Sequence, residues 1–223
     1  MRFSFESSNK APLGTGEEKE VFIDPADSER IVAVFKEKMD ATEGLKHSPR
    51  ALKGAFYLTK IAHTLLPKHV PDIYQAGESI DGQQTIDRER IEHSEAHAAM
   101  QAARQSGFSD AEEEAASQIT KEIGKDAGKL DDKLEGIGLT YEIDKNAGNY
   151  TRNAEGDVFY LESFVPWRQM NPKTVDLNFD EKRVRRSIKK IADQGQRETS
   201  EAYLERVLML YKEEKQELLD NLI

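Results

Sequence analysis

Cysteine is missing altogether from the 223 residues. Its absence excludes disulfides, thiolate-bound zinc and thiol chemistry from anything this chain does. Tryptophan is nearly missing too, with one residue, Trp167. No apolar run approaches the roughly 20 residues a membrane-spanning helix needs. The opening residues, MRFSFESSNK, lack the apolar core of a signal peptide. Positive charge is in deficit: 32 Lys and Arg stand against 42 Asp and Glu, giving a net −10. Such a field repels a phosphate backbone and argues against general nucleic-acid binding. These absences predict a cytoplasmic protein with no membrane partner. What is present is 37% hydrophobic and 33% charged residues, polar for a globular chain but able to bury a core. The length suits one large domain or two small lobes.

Residues 12–36 read PLGTGEEKEVFIDPADSERIVAVFK. A Gly14-Thr15-Gly16 turn leads into the alternating run Glu20–Ile23. The residues Asp24 to Ser28 then signal a turn before a second strand, Ile31–Phe35, which ends at Lys36. This is an antiparallel meander. Glycines at 14 and 16 let backbone N–H groups approach a phosphate that a side chain there would keep away.

A helix is predicted from Ser48, a good N-cap followed by Pro49 in the first turn, to Leu66 before Pro67. It carries an apolar face through Leu52, Ala55, Phe56 and Ile61–Leu65, and leaves Arg50, Lys53 and Lys60 exposed. A strand follows near Ile73. Asp81-Gly82-Gln83 makes a hairpin turn into a run at 84–91. From Glu92 the pattern is helical, with His93 and His97 on one face as solvated histidines. Ser109 and Glu112 form a capping box for a further helix with Ala115, Ala116, Ile119, Ile123, Leu130, Leu134 and Ile137 at helical spacing.

The chain is organised around residues 136–167, GIGLTYEIDKNAGNYTRNAEGDVFYLESFVPW. Two strand-like runs, LTYEI and DVFYLESF, and the turn residues Asn153-Ala154-Glu155-Gly156 read as a hairpin. Asp144 and Asn149 are spaced D-x-x-x-x-N, and Glu162 follows the second strand. An acid, an amide and a second acid on strand ends suit a site that holds a hydroxyl and a metal-bound triphosphate. Beyond them, Trp167 is read as core. Asp180 caps a helix rich in Lys182, Arg183, Arg185, Arg186, Lys189 and Lys190, either a solvated face or a polyanion-binding face. A last helix, from Ser200 to about Leu222, has a stripe including Leu204, Val207, Leu208 and Leu210 that packs on the domain or serves an oligomer interface.

LGTGEEKEVFIDP followed by RIVAVFK resembles the glycine-rich loop and third-strand lysine of the protein-kinase-like superfamily. DKNAGN with GDVFYLESF resembles its catalytic loop and metal-binding segment. The whole is similar to small, divergent bacterial kinase-like proteins over roughly residues 10–170. The resemblance implies an α+β, two-lobed protein-kinase-like fold. Its N-lobe, 1–87, would be an antiparallel sheet with one helix, and its C-lobe, 88–223, reduced and mostly helical. It implies ATP and Mg²⁺ as cofactors, with Gly14, Thr15 and Gly16 over the phosphates and Lys36 contacting them. Asp144 would be the catalytic aspartate, Asn149 and Glu162 the metal ligands, and Glu43, before the helix and beyond Glu37 and Asp40, the acid to pair with Lys36. The run at 84–91 would be the hinge that meets an adenine. The sequence departs from the pattern in three places, the first being that the helix 48–66 offers no clear glutamate to pair with the lysine. Lys19 follows Glu17-Glu18 where a third loop glycine is usual, and Glu162-Ser163-Phe164 replaces the usual aspartate-phenylalanine-glycine. Three functions stay open: a phosphotransferase acting on an unidentified protein or small-molecule acceptor, a catalytically silent kinase-like module that binds a protein partner, and an RNA-associated protein using the basic helix.

Overall fold

The computed structural model of the chain describes residues 11–15, 19–36, 48–78, 83–94, 110–139, 149–171 and 174–220. The protein is α+β, with an antiparallel five-stranded sheet at the N-terminal end and a mostly helical C-terminal part. Strands β1 (Gly14–Thr15), β2 (Lys19–Asp24), β3 (Asp27–Phe35), β4 (Ile73–Glu78) and β5 (Gln84–Glu89) lie in the order β1-β2-β3-β5-β4. The β2–β3 hairpin turns at Pro25-Ala26, where Asp24 Oδ1 accepts from the Ala26 amide at 2.9 Å. Its register pairs Lys19 with Phe35 and Phe22 with Val32.

Helix α1 (Pro49–Leu65) begins where the sequence indicates. Ser48 Oγ accepts from the Ala51 amide at 3.0 Å, and Pro49 occupies the first turn, where no amide partner is needed. This helix is buried on two sides. Leu52 and Phe56 meet Phe35, Ile73 and Ile86 of the sheet. Ala51, Leu58, Ile61 and Ala62 belong to the main core with the C-terminal elements. Of its three basic residues, Lys53 alone is exposed. Arg50 reaches Glu214 at 3.0 Å and Glu217 at 2.6 Å, and Lys60 reaches Asp72 at 2.8 Å. The expectation of three exposed cations fails for two of them because acids distant in sequence fold onto them.

Helix α2 (Asp110–Ile137) buries Ala116, Ile123, Leu130 and Leu134 of the predicted face together with Ala127, and partly buries Ile119 and Ile137. Ala115, expected on that face, is exposed because it stands one residue off the buried stripe. Ser109 lies outside the described residues. Gly138 ends the helix at φ +94°, and an added Cβ there would meet the Asp180 carbonyl at 2.9 Å. Strands β6 (Tyr150–Arg152) and β7 (Val158–Tyr160) form a hairpin around the predicted turn Asn153–Gly156, with the second strand inside the expected DVFYLESF run. Its first strand is Tyr150–Arg152. Of the LTYEI run, only Leu139 is among the described residues, so no pairing is assigned to it.

A second small hairpin, β8 (Trp167–Asn171) with β9 (Thr174–Leu177), occupies a stretch whose strands the sequence reading omits. Helix α3 (Glu181–Ile188) is capped by Asp180, whose Oδ1 accepts from the Arg183 amide at 3.0 Å. Helix α4 (Gln194–Asp220) starts six residues before Ser200, because Asp193 Oδ1 accepts from the Gln196 amide at 2.7 Å. Its predicted stripe does pack inward: Leu204, Val207, Leu208 and Leu210 are buried in the main core. Strand β5 runs through Glu89, beyond the expected lobe boundary at 87/88.

Trp167 is 2% exposed and lies against Gly54 of α1. A Cβ at Gly54 would stand 2.8 Å from Pro166 Cγ and 2.9 Å from Trp167 Cζ3. In an open helix Gly→Ala stabilises by up to about 1 kcal/mol. Here overpacking against two rigid rings reverses the sign, and Gly54→Ala should destabilise by about 1–3 kcal/mol. Urea denaturation followed by Trp167 fluorescence measures it; a more stable variant would contradict this packing.

Candidate functional site at the sheet–hairpin junction

The β6–β7 hairpin is fastened from several sides. Tyr150 donates its hydroxyl to Asp131 Oδ1 of α2 at 2.7 Å, and Arg152 Nη2 donates to Asp126 Oδ2 at 2.5 Å. The Tyr160 amide donates to the His69 carbonyl at 2.9 Å. Lys133 Nζ lies 2.7 Å from His69 Nε2 and donates to it, so Nδ1 carries the proton and donates to the Val158 carbonyl at 2.9 Å. Tyr150, Tyr160 and Phe164 form a continuous aromatic row, with ring centroids 5.3 and 5.4 Å apart. The segment at 91–94 leads from the sheet to this hairpin, where the Ser94 amide donates to the Arg152 carbonyl at 2.7 Å.

Two of the predicted site residues come together at the open end of the hairpin. The Leu161 amide donates to the Asn149 carbonyl at 2.7 Å, continuing the Tyr150–Tyr160 pairing by one step. Glu162 therefore follows directly on the residue that faces Asn149. Just past it, the Phe164 amide lies 3.4 Å from Thr59 Oγ1 of α1, which accepts from it and holds the chain to that helix. Glu162 also forms an ion pair and hydrogen bond with Lys19 Nζ of β2, 143 residues away in sequence. Both side chains are partly buried.

The pleat explains why Lys19 is the lysine that reaches Glu162. Lys19 is paired with Phe35, and Phe35 packs on Leu52 of α1, so Lys19 lies on the α1 side of the sheet. The same face receives Arg88 of β5, which is paired with Ile31, four residues from Phe35. Arg88 is 8% exposed, and its Nε has no hydrogen-bond partner among the described residues. Burial lowers its pKa, while the nearby charge of Glu162 opposes that shift. Sequence reading notes Lys19 only where a glycine is expected and Arg88 not at all. Nothing local marks either one, since both are ordinary strand cations until the distant Glu162 comes near them.

Of the remaining predicted residues, Gly14, Thr15 and Lys36 are described. Gly14 and Thr15 are exposed on the edge strand β1, paired with Val21 and Glu20, with no atom within 4 Å of an added Gly14 Cβ. Lys36 directly follows β3 and is half-buried. Gly16, Glu43 and Asp144 lie outside the described residues, as does His97. The expected hinge at 84–91 is mostly the interior strand β5, laddered to β3 on one side and β4 on the other. Its backbone groups at 84–89 are thus engaged in the sheet, and 91–94 is the stretch free of strand pairing. His93 belongs to that irregular stretch, not to a helix. Its Nδ1 lies 2.5 Å from Thr151 Oγ1, and burial of the ring lowers its pKa, with Arg90 adding to the effect.

On the basic helix, Arg185 pairs with Glu181 and Glu205 at 2.7 Å each, and Arg183 donates to the Glu135 carbonyl at 2.8 Å. Part of that charge is thus spent inside the molecule. Among the described residues no helix is long and apolar enough to cross a membrane, and no group of three or more His, Asp or Glu side chains is arranged to hold a metal ion. No family model matches this chain, and no curated protein matches it either.

The opposite face of the sheet carries a second buried charge. Asp87 is paired with Val32, and its Oδ2 is 3.4 Å from Arg30 Nη1, while its Oδ1 has no partner among the described residues. Burial raises its pKa to about 6, Arg30 opposes the shift, and the nearby Asp24 and Asp27 reinforce it. Between the unfolded value of 3.8 and about 6, the folded protein binds more protons at this site than the unfolded chain. Stability from Asp87 is therefore greatest below pH 4 and is lost as pH rises through about 6. Asp87→Asn should remove that dependence and raise stability at pH 7 relative to the parent by roughly 1–3 kcal/mol. The difference between the two proteins' denaturation free energies, followed from pH 7 to pH 4, should shrink. A constant difference would show that Asp87 is ionised throughout.

Proposed function

We propose that this chain is an ATP- and magnesium-dependent phosphotransferase of the kinase-like kind, moving the γ-phosphate to a hydroxyl acceptor. The observation that carries this reading is the Lys19–Glu162 pair. It joins the first residue of β2, the strand that follows the glycine pair, to the residue just after the hairpin ladder, and Asn149 faces Leu161 one step before it. Supporting it further are the antiparallel sheet with one helix after its third strand, and the hairpin fixed rigidly below the junction. Rigid strand ends suit such a site, because positioning and electrostatics supply most of the catalysis in phosphoryl transfer.

The residues at the junction fit a magnesium nucleotide in kind. Glu162 is a hard anionic oxygen ligand, Asn149 supplies an amide oxygen, and Lys19 and Arg88 bring cations to the same face. Bound Mg²⁺ would neutralise charge on the phosphates that these residues bring into line. In this reading Asp144 orients the acceptor hydroxyl and takes its proton. Asn149 and Glu162 hold the metal. Gly14, Thr15 and Gly16 border the phosphates. Lys36 keeps the phosphate-contacting role that the resemblance gives it, and Lys19 is a second lysine able to serve it.

A silent kinase-like module that works through a protein partner is favoured by the same pair, read differently. There the Lys19 ammonium stands permanently in the place of a metal. The two readings separate by substitution. Asp144→Asn should lower turnover by about 10²-fold or more with nucleotide affinity nearly intact. Glu162→Gln should weaken metal-dependent nucleotide binding itself, and Glu162→Asp should restore it. Autophosphorylation or ATP hydrolysis, beside calorimetric ATP–Mg²⁺ titrations, measures all three. Identical rates and affinities across the set would remove the phosphotransferase assignment. No heat and no thermal shift in the parent at millimolar nucleotide would leave the silent module.

A further inference from the structure

We propose that Arg88 and Lys19 form a binding subsite for a phosphate-type oxyanion at the sheet–hairpin junction, with Glu162 as the internal anion that holds the place when no ligand is bound. The inference goes beyond phosphoryl transfer, because it concerns binding and holds whether or not turnover occurs. Two cations face one carboxylate there, and the carboxylate is already engaged by Lys19. Arg88 is thus left more than nine-tenths buried with its Nε unpartnered among the described residues.

A buried guanidinium has few ways out of that situation. It does not deprotonate in proteins, and a buried charge with an unpartnered N–H, whose acidic neighbour Glu162 is already engaged by Lys19, is unfavourable, so a further anion is what the position calls for. The lowering of the Arg88 pKa by burial is the same strain seen from the protonation side. Arginine presents a planar fork that matches two oxygens of a phosphate, and Lys19 adds a compact charge for another oxygen. The two come from different strands, β5 and β2, on the same face of the sheet. The phosphate belongs either to a nucleotide tail or to free polyphosphate, and these two sources share one chemistry.

Calorimetry and thermal shift with inorganic phosphate, sodium tripolyphosphate and ATP test this on the full chain, in the parent and in Arg88→Met and Arg88→Lys. The parent should bind tripolyphosphate. Arg88→Met should be at least as stable as the parent without ligand, because it removes a buried charge whose acidic neighbour, Glu162, is already engaged by Lys19, and should lose at least tenfold in tripolyphosphate affinity. Arg88→Lys, which keeps the charge without the fork, should fall between them. Tighter binding of ATP than of tripolyphosphate identifies a nucleotide as the source; equal or weaker binding identifies free polyphosphate. An Arg88→Met protein that is markedly destabilised and binds tripolyphosphate like the parent makes Arg88 a structural residue and overturns the proposal. If Arg88→Met fails to fold, the parent decides. Its Arg88 Nε–H resonance, assigned by its disappearance in Arg88→Lys, must move on phosphate titration, and a resonance that stays put overturns the subsite. Tripolyphosphate binding through Arg88 without ATP turnover would remove the phosphotransferase and keep the subsite. Turnover and binding indifferent to Arg88→Met would do the reverse.

Discussion

Helix α1 has to satisfy two cores at once, and the contact that makes this feasible is Trp167 lying against the bare backbone of Gly54. On its sheet side the helix presents Leu52 and Phe56, and on its other side Ala51, Leu58, Ile61 and Ala62. A side chain at residue 54 would push the indole and Pro166 away and open the seam between them. The seam matters because the chain just past Glu162 is fixed to the same helix, through Thr59 and Phe164. The position of the hairpin end relative to the sheet thus traces back to how closely one tryptophan approaches one helix.

Electrostatics reinforce this arrangement from the far end. Arg50, in the first turn of α1, gathers Glu213, Glu214 and Glu217 of α4. Glu214 is buried, and hydrogen bonds to Glu217 and Glu214 raise the Arg50 pKa. Removing the arginine would leave a carboxylate in the interior without its cation, a larger cost than a surface pair incurs. The net charge of −10 is therefore not spread evenly over a solvated surface. Part of it is drawn inward to lock the last helix onto the central one.

The junction near Glu162 gathers two cations, Lys19 and Arg88, on one face of the sheet in a chain of net charge −10. There the acid that follows the hairpin, Glu162, meets Lys19 and lies near Arg88. Local concentration of positive charge inside a negative protein has a physical cost, and sites that hold anions are where such costs are met. Asp87, on the other face of the same strand as Arg88, shows the mirror-image strain, with its carboxyl pushed up to about 6 by burial. One interior strand thus carries consecutive buried charges of opposite sign facing opposite ways.

Local chemistry in the sequence determined the ends and faces of the elements. Ser48 and Pro49 start α1, Asp180 caps α3, Asn153–Gly156 turns the hairpin, and the apolar spacing of α2 and α4 picks out the residues that become core. These signals act over one or two turns of chain, so they are legible without any knowledge of the fold. Weaker signals failed for the same reason. The β8–β9 strands are short and polar, and the start of α4 depends on one aspartate cap. Which face meets which was decided only by tertiary structure. Strand alternation turned Lys19 and Arg88 toward α1, and folding brought Lys19 to a glutamate 143 residues away. Arg50 found its acids 164 and 167 residues downstream. A side chain's partner across such a separation leaves no trace in local periodicity, because it is set by the packing of whole elements.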